Sequence, residues 1–119
     1  MFIAGEDVRL EAATRHVRLW PIDLSAVQDK DQLMTAFAAD LELPDWFGAN
    51  FDALYDVLTD PDFVPDRAGL LLVGLDALNG RDPELGSHLL GVLLEAQAAA
   101  ADLGRHLWLF EEPAAPDAR

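Results

Sequence analysis

"LPDWFGANFDALYDVLTD", residues Leu43–Asp60, is the stretch that organises this chain. Pro44 breaks the helical pattern before it, and Gly48 permits a tight turn. Asn50 has the side chain of an N-cap, and Pro61 closes the segment, so Phe51–Thr59 reads as a helix. At 100° per residue, Phe51, Leu54 and Leu58 share a face that would pack on the rest of the fold. Asp52, Asp56 and Thr59 fall within about 60° of one another on another face. Tyr55 lies at the boundary, and Trp46 stands in the preceding turn. Two aspartates one turn apart, with no cation beside them in the sequence, cost a few tenths of a kcal/mol. Aromatic anchors interleaved with charge suit a protein interface better than a plain solvated surface.

Outward from this segment the chain alternates. Leu33, Phe37 and Leu41, with Met34, give helical spacing over Asp29–Asp40. Before it, His16–Leu24 alternates apolar and polar residues as a strand does. Residues 1–15 have a weak, mixed pattern, expected to be a short strand, a hairpin arm or a loose end. On the other side, "PDFVPDRA" reads as a loop, and Leu70–Leu75 as a fully buried strand. "NGRDPEL" reads as a connector, Pro83–Leu103 as a long helix with Gly104 as C-cap, and "RHLWLFE" as a last strand. Strands separated by helices imply parallel pairing through right-handed crossovers. The expected fold is α/β: one small domain over residues 1–119, with an about three-stranded parallel sheet and helices packed on it. Residues 1–15 would form an N-terminal extension and 113–119 a flexible tail.

Charge narrows the functional classes. Twenty-two acids against eight bases give a net charge of −14. Such a chain repels phosphate backbones and favours a cationic partner. Nine of the acids, Asp31, Asp40, Glu42, Asp45, Asp52, Asp56, Asp60, Asp62 and Asp66, lie between Lys30 and Arg67 with no base among them. The chain has no cysteine, which removes disulfides and thiolate chemistry. No basic leader with a long apolar core begins it, and no run reaches membrane-spanning length, so a cytoplasmic protein is expected.

Catalytic patterns are lacking. There is no phosphate-binding glycine loop, and the serines, threonines and His16, His88 and His106 suggest no nucleophile–base pairing. The aspartates leave two chemical readings open: an acid–base pair of a small hydrolase, or oxygen ligands for Mg²⁺ or Ca²⁺.

Leu43-Pro44, Trp46-Phe47, Gly48, Asn50, the run Asp52-Ala53-Leu54-aromatic-Asp56, and Leu58-Thr59 together resemble the barstar family of ribonuclease inhibitors. The resemblance implies a non-enzymatic protein without cofactor or metal, monomeric when free. It would block a barnase-like ribonuclease with this helix and the loop before it, as a toxin-immunity protein does. By that resemblance Asp56 enters the enzyme's phosphate pocket and Asp52 flanks it. Trp46, Asn50, Tyr55 and Thr59 complete the contact face, and Glu95 in the last long helix is an outlying interface acid. Ala49 stands where the family carries an acid. The implied partner is a basic, extracellular-type ribonuclease or related toxin; a barstar-like module for another basic protein stays open beside it.

Overall fold

A computed structural model describes residues 5–44 and 47–113. The elements follow in the order α1 (Gly5–Thr14), β1 (Arg18–Asp23), α2 (Lys30–Asp40), α3 (Phe51–Thr59), β2 (Arg67–Val73), α4 (Leu75–Arg81), α5 (Pro83–Asp102) and β3 (His106–Glu112). The three strands form a parallel sheet in the order β1-β2-β3, with Trp20 opposite Leu70 and Leu70 opposite Leu109. This is the α/β architecture expected from the sequence.

β2 is the central strand and is apolar along almost its whole length, as a strand covered on both faces must be. β1 is an edge strand, which is why Pro21 can sit inside it opposite Leu71. Alternation sends Ile22, Ala68, Leu70, Leu72 and Leu107 to one face. There they join Leu33, Met34 and Phe37 of α2, Phe51, Leu54 and Leu58 of α3, and Leu89, Leu93 and Ala96 of α5 in one buried cluster. Neighbouring parallel strands taken in chain order, with right-handed crossovers, put every crossover helix on the same side of the sheet. The other face therefore needs separate cover.

α1 supplies that cover. It contacts all three strands, its Ala12 is buried, and Leu71, which points away from the main cluster, has no exposure. The Val17 amide donates to the Ala12 carbonyl at 2.8 Å, and Arg67 donates from Nε and Nη2 to the Arg15 carbonyl at 3.1 and 2.9 Å. Arg9 pairs with Glu112 at the far end of β3. With residues 1–4 lying outside the described residues, the strand, hairpin arm or loose end expected for the first 15 residues is corrected to a helix over Gly5–Thr14. Its sequence carries only a weak apolar period, so docking on the sheet, more than an amphipathic pattern, accounts for it.

A second correction concerns the end of β2. The strand begins at Arg67 and stops at Val73; Leu75, expected as its last residue, opens α4, which also takes in Asn79–Arg81 of the expected connector. A seven-residue helix is too short to show a period, and Asn79-Gly80 imitates a turn. Leu75 and Leu78 bury its inner side. Arg81 then donates to the Val27 carbonyl at 3.0 Å and the Ser25 carbonyl at 2.8 Å, tying α4 to the loop after β1. The tail residues 114–119 lie outside the described residues.

Gly74 has φ 80°, and a Cβ there would stand 2.8 Å from the Ser25 Cα. Gly104 has φ 74°, with nothing within 4 Å of a Cβ. Gly74→Ala should therefore destabilise by about 3 kcal/mol or more, combining left-handed strain with a backbone clash, and Gly104→Ala by only about 1 kcal/mol. Denaturant melts of the two variants check this; equal losses would contradict it.

Candidate functional site

α3 is built as its sequence indicates. Asn50 is extended at φ −142°, and its Oδ1 accepts the Ala53 amide at 2.7 Å. Its Nδ2 donates to the Gly48 carbonyl at 3.1 Å. Both ends of the side chain are thus used in closing the turn, so Asn50 acts first as a cap and loop brace. Ala49 takes φ 52°, a left-handed value that costs a non-glycine residue about 1 kcal/mol.

Phe51, Leu54, Val57 and Leu58 are buried. Val57 was not among the expected packing residues; the apolar arc is one position wider than the Phe51–Leu54–Leu58 stripe. On the opposite side Asp52 and Asp56 are exposed, and among the described residues neither meets a cation in an ion pair. Tyr55 is half-buried and rests against the core. The Thr59 hydroxyl donates to the Tyr55 carbonyl at 2.9 Å and reaches the Asp56 carbonyl at 3.3 Å, which leaves its oxygen as an acceptor toward solvent.

The loop before α3 folds back along this face. Phe47, Gly48, Ala53, Asp56, Val57 and Asp60 line a cleft of about 230 Å³, room for roughly seven or eight waters at about 30 Å³ each. One wall is apolar, and two carboxylates stand on the rim. Asp60, which no reading of the sequence singled out, is half-buried, and its Oδ1 accepts the Asp62 amide at 2.9 Å.

Both ends of α3 are held from outside the helix. Phe51 stacks on His88 of α5, with ring centres 4.0 Å apart, and Lys30 Nζ lies 5.8 Å from the same ring. Glu95 follows His88 by seven residues, so helical rotation returns it to within about 20° of the same flank. It is exposed there, on the side of α5 that α3 adjoins. At the other end, Arg105 donates from Nη1 to the Thr59 carbonyl at 3.1 Å. Arg105 has no local signal in the sequence: it is a lone base between a helix and a strand. Trp46, expected to complete the face, lies outside the described residues, as does Asp45.

Two exposed carboxylates, without an ion-pair partner among the described residues, thus stand on one helix beside an apolar-walled cleft, an arrangement able to accept hydrogen bonds from cationic groups. The comparison with known families falls on the same ground. A family model described as Barstar (barnase inhibitor) matches residues 17–112, most of the chain and all three strands. The chain belongs to the barstar family. No curated protein matches it. α1 lies before the matched region.

Two substitutions separate the cap from the carboxylate. Asn50→Ala should lower stability by about 1 kcal/mol through loss of the cap. Asp56→Ala should leave it unchanged or raise it by a few tenths of a kcal/mol, because a like charge one turn from Asp52 is removed. Urea melts of the free protein read both, and a loss at Asp56 as large as that at Asn50 would make the carboxylate structural.

Proposed function

We propose that this chain is a non-catalytic inhibitor of a ribonuclease, occupying the enzyme's active site with α3 and the loop before it. The observation that carries the reading is the pair Asp52 and Asp56: exposed, without an ion-pair partner among the described residues, and fixed on a helix held at both ends. Membership of a family described by inhibition of barnase supports it. A ribonuclease binds phosphate with Lys, Arg and His, and carboxylates at a fixed spacing can stand in for that phosphate through charge-assisted hydrogen bonds.

In this reading Asp56 enters the phosphate pocket and Asp52 flanks it. Tyr55 and Trp46 supply aromatic contact, Thr59 an acceptor and Glu95 an outlying acid. Asn50 contributes by shaping the loop. The protein acts as a monomer in the cytoplasm, protecting the cell that makes the enzyme, and performs no turnover itself. The one-sign stretch between Lys30 and Arg67 accelerates encounter with a basic enzyme. A barstar-like module that regulates some other basic protein would use the same face, and the identity of the captured partner separates the two.

The test is inhibition of barnase-type ribonucleases by the purified chain, with Asp56→Ala as the decisive variant. Burial of Asp56 against cations should make the truncation weaken binding by about 2–5 kcal/mol or more, a general range to which barnase–barstar itself contributes. Unchanged inhibition by Asp56→Ala would remove this face from the mechanism. The association rate should also fall steeply as salt rises past about 0.1 M, where the Debye length is about 10 Å, with dissociation changing much less. Stopped-flow mixing across a salt series measures this, and an association rate indifferent to salt would reduce the acidic stretch to a solvated surface.

A further inference from the structure

We propose that Arg105 is a positioning residue for the partner-binding face, its buried guanidinium holding the last turn of α3 and the acidic loop after it so that Asp56 is presented in one orientation. The proposal rests on the inhibitor reading above. Arg105 is the one buried charged residue among the described residues, 7% exposed. It is delivered there by the end of α5. Gly104, left-handed, donates its amide to the Ala101 carbonyl, and the Arg105 amide donates to the Ala100 carbonyl at 2.9 Å. That pair of bonds reverses the chain and turns the Arg105 side chain beneath α3.

The guanidinium meets three separate pieces of backbone and side chain. Nη1 donates to the Thr59 carbonyl at the end of α3, Nη2 donates to the Val64 carbonyl in the loop, and Nε lies 3.4 Å from the Asp66 carboxylate. Among the described residues Nε has no hydrogen bond, and the Asp66 charge is what it faces. The planar fork of arginine suits such a three-way hold, which a point-charge ammonium cannot reproduce. The neighbouring His106 amide donates to the Asp66 carbonyl at 2.7 Å and fixes the same loop from the strand side.

α3 needs this hold for two reasons. It has nine residues, and helices that short are marginal without tertiary support. It also has no base in its last turn, where a cation would balance the carbonyl end of the helix dipole. Asp56 lies one turn from that end, three residues before the carbonyl that Arg105 holds. Asp60 forms the helix end itself: its amide donates to the Val57 carbonyl, and its own carbonyl accepts the Phe63 and Val64 amides at 3.1 and 3.0 Å. Loss of the guanidinium would loosen the turn that carries Asp56 and the rim of the cleft together, leaving the capping contacts of Asn50 and the Phe51–His88 stack in place.

A double-mutant cycle tests this with barnase as the probe. The parent, Asp56→Ala, Arg105→Met and the double variant are titrated, and amide exchange is recorded on each free protein. The factor by which Asp56→Ala raises Kd should be at least about tenfold smaller in the Arg105→Met background, within the range that couplings between interacting sites reach. In the free protein, exchange at Val57–Asp60 should quicken while the amides of β2 keep their protection. An Asp56 penalty of the same size in both backgrounds, or quickening spread evenly over the sheet, overturns the positioning role and leaves the inhibitor reading intact. A parent that does not bind barnase, or an Asp56→Ala change without effect in either background, defeats the inhibitor reading instead; local against uniform exchange then decides the role of Arg105 alone. Where Arg105→Met does not fold, Arg105→Lys takes its place in the cycle and in the exchange measurement, with the same outcomes.

Discussion

The fold depends on a constraint of handedness. Three parallel strands lie side by side in chain order, and each crossover between neighbours is right-handed. All the crossover helices are therefore forced to one face. That crowding places α3 against α5 at the outer surface of the helical layer, where its second side meets solvent. It also leaves the opposite face of the sheet uncovered by any crossover. An all-parallel sheet is not stable with an apolar face in water, and α1 closes it, burying Leu71 and anchoring through Arg9, Arg15 and Arg67.

The acidic stretch shows how stability and binding are divided in this molecule. Between Lys30 and Arg67 the sequence offers no positive charge to offset nine acids. The fold gives a hydrogen-bond or charge partner to some of them. Asp40 Oδ2 accepts the Asp23 amide at 3.0 Å, Asp60 folds its own loop, and Asp66 faces Arg105. Asp52 and Asp56 are left out of these arrangements. Asp52 gains a little from the N-terminal end of the helix dipole; Asp56 has no such benefit. Asp56 thus contributes little to the free fold, and this is the feature on which the proposed inhibitory role rests.

Much of this was legible in the sequence because it is encoded locally. The N-cap at Asn50, the bounds of α3, the apolar run of β2 and the left-handed Gly104 after α5 each follow from a few adjacent residues. The two carboxylates on one face follow from helical rotation alone. The misses share a different cause. α1 has little pattern of its own and is shaped by the sheet it covers. α4 is seven residues long, below the length at which periodicity speaks, and its Asn79-Gly80 pair resembles a turn. Arg105 is far in sequence from the carbonyls it holds, so no motif announces it.

The sequence by itself determined the inward faces of α2 and α3 and the parallel α/β architecture, because residue spacing survives without coordinates. Only the tertiary structure decided which acids are spent on the fold and which remain free, since that turns on approaches between residues tens of positions apart. Arg105 lies 46 residues from Thr59, whose carbonyl it holds. The cleft beside Asp56 likewise exists only because the Phe47–Gly48 loop folds back on α3. Local chemistry can place a carboxylate on a helix; holding that helix still requires a guanidinium brought from the other end of the chain.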